Sequence, residues 1–72
     1  MPEQICLELL DISGNLRVII VRRNDGRFSY RQQEKQDAGW SPATIDAGIY
    51  DSAESAETEA RQRVAWLRAL FH

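Results

Sequence analysis

Residues 51–71, DSAESAETEARQRVAWLRALF, decide the fold. Apolar side chains recur at Ala53, Ala56, Ala60, Val64, Leu67 and Phe71, in steps of 3, 4, 4, 3 and 4. That is one stripe of a helix, and the spacing predicts a helix from about Ser52 to about Phe71. Asp51-Ser52-Ala53-Glu54 reads as a capping box, in which Asp51 accepts from the Glu54 N–H and Glu54 reaches back. Tyr50 stands just before it as a hydrophobic staple. Glu54, Glu57 and Glu59 occupy the first half of the helix, and Arg61, Arg63 and Arg68 the second. That order complements the helix dipole. It also sets Glu57–Arg61 and Glu59–Arg63 as i,i+4 pairs. Small alanines at the N-terminal end allow close approach to another layer, and the large residues at the far end fill a wider gap.

The first half of the chain supplies that layer. Residues 4–10, QICLELL, alternate loosely: Ile5, Leu7 and Leu9 on one side, Cys6, Glu8 and Leu10 on the other. Residues 16–23, LRVIIVRR, are rich in β-branched residues and form the strongest strand. Between them Asp11-Ile12-Ser13-Gly14-Asn15 is turn chemistry. Asn24-Asp25-Gly26 is a hairpin signal, because tight turns need residues that tolerate positive φ. Residues 27–33, RFSYRQQ, alternate cleanly, with Phe28 and Tyr30 on one face. Residues 34–50 read as a polar connection punctuated by Gly39, Pro42 and Gly48, with Trp40 as a plug for the open end of the core. Its end, Thr44 to Tyr50, is a candidate edge strand, since long structureless loops are unusual in small domains. The expected fold is α+β: a three- or four-stranded antiparallel sheet with one C-terminal helix across one face.

A chain of 72 residues has room for one small domain with a thin core. Cys6 is the only cysteine, so no internal disulfide can staple it, and no Cys/His cluster has zinc spacing. A marginal monomer or a homo-oligomer follows. The lone thiol, the acid near the start and the short apolar runs predict a soluble cytoplasmic protein without targeting or membrane segments.

The same inventory argues against an enzyme. His72 is the single histidine and stands last; Cys6 lies in a strand with no histidine near it in sequence. There is no phosphate-binding loop, dinucleotide fingerprint or metal-ligand spacing. No catalytic residue, cofactor or metal is expected.

Charge is segregated. Residues 17–31 hold five arginines against Asp25, a net +4; residues 34–59 hold seven acids against Lys35, a net −6. Arg22, Arg23, Arg27 and Arg31 gather around one hairpin beside Phe28 and Tyr30. They are candidate nucleic-acid contacts, because arginine reads guanine or phosphate and aromatics stack on bases. The bland alternative is an edge kept soluble by charge. The net charge of −2 counts against a general polyanion binder.

A protein interface is the stronger expectation. Residues 16–21 are apolar on both sides, Leu16, Val18 and Ile20 against Ile19 and Val21. One helix covers one sheet face, and a face left to water should be polar. The second face therefore wants a cover, either residues 34–50 with Trp40 or a second copy of the chain. Trp66 and Leu70 widen the helix stripe. Ile19, Val21, Trp40, Trp66 and Leu70 are the candidate interface of a non-enzymatic binding or assembly module, a homo-oligomer such as a dimer.

Trp40-Ser41-Pro42, then GIYDSAE over residues 48–54, then a helix ending in Trp66-Leu67, resembles small bacterial proteins of unknown function with the same layout over residues 15–70. The sheet-then-capped-helix outline is also similar to HicB-type antitoxins, which bind a toxin and often DNA, and to the arm-type DNA-binding domain of tyrosine integrases. The first likeness implies a protein-neutralising module, the second a DNA contact. The chain lacks the antitoxins' Pro-Gly-Cys loop, and its net acidity and acidic helix depart from the integrase domains. No functional residue carries over from either.

Overall fold

In a computed structural model of the chain, which describes residues 2–70 and leaves the Leu70 side chain undescribed, the α+β expectation is met. Four strands, β1 (Gln4–Leu10), β2 (Leu16–Arg22), β3 (Phe28–Gln36) and β4 (Gly39–Trp40), form an antiparallel sheet in chain order. Two helical segments follow, α1 (Ala53–Arg63) and α2 (Ala65–Leu70).

The first two hairpins are built by the residues that predicted them. Asp11 Oδ1 accepts the Asn15 and Leu16 N–H groups at 3.0 and 3.1 Å, and Ser13 Oγ donates to the same carboxylate. Gly26 takes φ 82° to close the three-residue turn between Arg23 and Arg27, and Asp25 accepts the Arg27 N–H at 2.9 Å. Slight burial works to raise the Asp11 carboxyl, but the hydrogen bonds from Leu16, Ser13, Asn15 and Gly14 outweigh it and hold the group below its ordinary 3.8.

Glu3 is also held below its ordinary 4.5, chiefly by the hydrogen bond from Arg31. Both acids bind protons more readily once unfolded, so they stabilise the fold above their unfolded values, and that stability disappears as pH falls through the lowered folded values. Thermal midpoints followed by circular dichroism should be level from neutrality to about pH 5 and fall below about pH 4. Asp11→Asn should flatten part of that fall; an unchanged slope would remove Asp11 as a source of it.

The core lies between the sheet and α1. Val18 and Ile20 of β2, Tyr30 of β3 and Ala56, Ala60, Val64 and Leu67 of the helices form one buried cluster, with Ala53, Leu9, Phe28, Tyr50 and Trp66 packed around it. The predicted stripe is therefore the buried one as far as Leu67; Phe71 lies outside the described residues. Both i,i+4 pairs form, Glu57–Arg61 at 2.6 Å and Glu59–Arg63 at 2.7 Å.

Four details differ from the expectation. The cap is Ser52, one residue later than Asp51; its Oγ accepts the Ser55 N–H at 3.1 Å and donates to Ser55 Oγ at 3.0 Å. The helix is not continuous. Val64 leaves helical geometry (φ −86°, ψ 112°) while its N–H still reaches the Ala60 carbonyl; no local proline or glycine accounts for the break. A bulge at Cys6 shifts the β1 register, pairing Ile5 with Val21 but Leu7 with Ile20. Directly opposite residues share a face, so Ile5 lies on the face away from the helix while Leu7 and Leu9 stay on the helix side.

The fourth concerns residues 34–50. Glu34 to Gln36 continue β3, and the next turn returns as β4. The chain then runs along the outer edge of β3. Ser41, Thr44 and Ala47 donate their N–H groups to the carbonyls of Glu34, Gln32 and Tyr30, and Tyr50 exchanges both bonds with Phe28. Ser41 Oγ and Thr44 Oγ1 accept the Glu34 and Gln32 N–H groups. Three residues of this segment span every two of β3, so it closes the edge without being a regular strand. Tyr50 turns its ring back over Gly48, where a Cβ would stand 2.6 Å from the phenol oxygen, and stacks on Tyr30 with centroids 6.3 Å apart.

Candidate protein interface

The second sheet face carries the odd-numbered residues of β2 and β3: Arg17, Ile19 and Val21 beside Ser29, Arg31 and Gln33. Ile19 and Val21 are 4% and 2% exposed. Neither the helix nor a second chain covers them. Val21 lies between Ile5 and Ser29, and Ile19 between Glu8 and Arg31. Arg17, Arg23 and Arg31 are themselves largely buried, as arginines are whose stems lie along a sheet while their charged ends meet acids at the rim.

Arg31 is the centre of this cover. Its guanidinium meets Asp46 at 2.6 Å and Glu3 at 2.8 Å, and its side chain is only 18% exposed. Hydrogen bonds to Glu3 and then to Asp46 push its pKa up. Arg23 binds the other Asp46 oxygen at 3.2 Å and reaches Asp25 at 3.5 Å. Arg17 pairs with Glu8, donates to Gln33 at 2.7 Å and lies 4.4 Å over the Trp40 ring. Trp40 therefore does not plug the helix-side core. Its partner in β4 pairing, Lys35, puts it on the arginine face.

This disperses the predicted nucleic-acid contacts. Arg23 and Arg31 are held in the acid network on the second face. Arg22 is on the helix side of β2, opposite Phe28. Arg27 is at the hairpin tip, 3.8 Å from Asp51. The four do not share a surface. The acid that anchors two of them, Asp46, comes from the Thr44–Tyr50 stretch, the candidate edge strand.

The candidate interface is redistributed in the same way. Ile19 and Val21 are buried within the single chain and offer no surface. Trp40 lies under Arg17, and Trp66 is half-buried against the core cluster. The side chain of Leu70 lies outside the described residues. Exposed apolar surface appears instead at the two edges: on β1, Ile5 is 58%, Leu7 37% and Leu10 46% exposed, with Ile12 of the adjoining turn at 90%, and on the segment beside β3, Ile45 is 90% and Ile49 52% exposed. The alternation of QICLELL signalled a strand, but not that this strand would be the open one.

β1 is at the end of the sheet, and α1 packs on β2 and β3. The Asp11 N–H bonds the Leu16 carbonyl at 3.0 Å. Antiparallel ladders alternate, so Leu7 and Leu9 turn their backbone groups toward β2, while Glu8 and Leu10 turn theirs outward. Among the described residues nothing pairs with them. The sheet thus has one closed edge, on β3, and one open edge with apolar side chains on both faces.

Other chemistry is sparse. A groove of about 490 Å³ at the start of α1 is lined by Tyr50, Ser52, Glu54, Ser55, Thr58 and Glu59, and its serines are engaged in the helix cap. Among the described residues no three of His, Cys, Asp and Glu come together as metal ligands, and no helix is long and apolar enough to cross a membrane. Compared with known proteins, the chain matches no family model, no curated protein and no solved structure.

Proposed function

We propose that this chain is a small non-enzymatic assembly module that self-associates, and that its contact surface is the open edge of the sheet at β1. The observation that carries the reading is the coincidence of unpaired outward backbone groups with the exposed side chains of Ile5, Leu7 and Leu10 on one strand. An open edge with apolar side chains is a template for pairing with another chain, here over the regular stretch that follows the Cys6 bulge. The arginine hairpin is set aside as a nucleic-acid site because its guanidinium groups are divided between two faces and the tip. The lone Cys6 thiol fits the reducing cytoplasm.

Sedimentation velocity or light scattering tests this. The wild-type chain should exceed monomer mass at tens of micromolar, and Leu10→Lys should return it to monomer. Leu10 is exposed, so the variant keeps its fold, and an edge lysine opposes strand pairing. A wild-type chain that is monomeric throughout would overturn self-association. It would favour the antitoxin-like alternative, in which the same edge receives a different protein.

A further inference from the structure

Resting on that reading, we infer that the partner at β1 is a second copy of the chain, paired antiparallel about a two-fold axis through Leu9. The bulge at Cys6 interrupts the strand and leaves Leu7 to Leu10 as the regular stretch of open edge on β1. Three two-fold registers place outward groups opposite outward groups over that stretch. Pairing Glu8 with Glu8 of the second copy sets like charges directly opposite each other and runs Leu10 into the bulge. Pairing Leu10 with Leu10 runs Glu8 off the strand into the turn at Ile12. Pairing Glu8 with Leu10 does neither. It satisfies the N–H and C=O groups of both residues in both copies, four hydrogen bonds in all by the alternation of the ladder.

In that register Leu9 faces Leu9 across the axis on the helix side, flanked by Leu7 of each copy. On the other face Leu10 of one copy lies against the stem of Glu8 of the other. Each Glu8 keeps its own Arg17, so no carboxylate loses its partner.

The far edge of each sheet decides the size of the assembly. Residues 41–50 already take up the outward carbonyls of Phe28, Tyr30, Gln32 and Glu34 and the outward N–H groups of Phe28, Gln32 and Glu34, so a second round of pairing finds no regular edge on β3 to use. One open edge and one closed edge give a closed dimer with a continuous sheet, not a fibre.

Disulfide trapping reads the register directly. In a Cys6→Ser background, Leu9→Cys should form a covalent dimer on mild oxidation. Facing residues of a non-hydrogen-bonded pair bring their Cα atoms to about 4.5 Å, within disulfide reach. Leu10→Cys should not, because its counterpart lies diagonally at roughly 7–8 Å. Leu9 touches the core, so a second arm uses exposed positions: Glu8→Cys and Leu10→Cys chains, mixed, should cross-link to each other and neither to itself. Trapping at Leu10→Cys alone, or none in the mixture, overturns the register. If that happens while Leu10→Lys still dissociates the wild-type oligomer, β1 self-association stands and only the two-fold pairing through Leu9 falls.

Discussion

Ala60→Glu should abolish folding. Ala60 has no exposed surface and packs in one cluster with Val18, Ile20 and Tyr30 between helix and sheet. A glutamate there adds volume where an alanine was needed and brings a carboxylate into a cluster with no cation. An uncompensated buried charge costs on the order of 3–5 kcal/mol, and overpacking typically adds about 1–3 kcal/mol. Stability of about 0.05–0.15 kcal/mol per residue would give a 72-residue domain only roughly 4–11 kcal/mol in total. The far-ultraviolet dichroism and the thermal transition should both disappear. Ala65→Glu is the control: Ala65 is exposed at the start of α2, and its substitution should stay within about 0.5 kcal/mol. A folded Ala60→Glu chain as stable as the wild type would mean that α1 presents another face to the sheet.

Arg31→Ala should cost about 2–3 kcal/mol, from lost hydrogen bonds to charged groups and from uncovering apolar side chains. For a domain of this size that lowers the midpoint by roughly 10–20 °C. The reason is position. Arg31 bridges Glu3 at the entry to β1 and Asp46 in the edge segment, and its stem covers Ile19. Truncation leaves both acids without that partner and opens the second face to water. Arg31→Met, which keeps an apolar stem, should recover about half of the loss, because the two contributions are of similar size. A solvent-facing arginine held for nucleic acid would behave differently, with substitution changing stability by no more than about 0.5 kcal/mol. That smaller result would return Arg31 to the list of free basic residues.

The two variants mark what was legible in advance and what was not. The Ala60 face followed from spacing alone, because a helical period admits one continuous stripe and the stripe is local to twenty residues. The hairpins followed for the same reason: Asp11, Gly14, Asp25 and Gly26 act on backbone groups within five positions of themselves. The Ser52 cap was missed by one residue because Asp51 and Ser52 are equally good caps. The Cys6 bulge was missed because nothing in QICLELL marks an extra residue; the shift exists only in the pairing with β2.

Ile19 and Val21, two of the candidate interface residues, are buried within the chain for a related reason. Apolar residues on both sides of β2 correctly required a second cover, but the cover is made of arginines, which composition reads as charge and not as packing material. Whether an arginine lies flat on a sheet depends on acids within reach of its end. Those acids are Glu3, 28 positions away from Arg31, and Asp46, 15 away.

Strands, turns, helix face and the α+β class were written in the chain itself, because each rests on side-chain period or backbone chemistry over a few neighbouring residues. Which strand stays open, which edge is closed and which side chains shield Ile19 and Val21 were decided only on folding. Those depend on register and on long-range ion pairs, and they move the exposed apolar surface from the middle of the sheet to its edges, β1 above all.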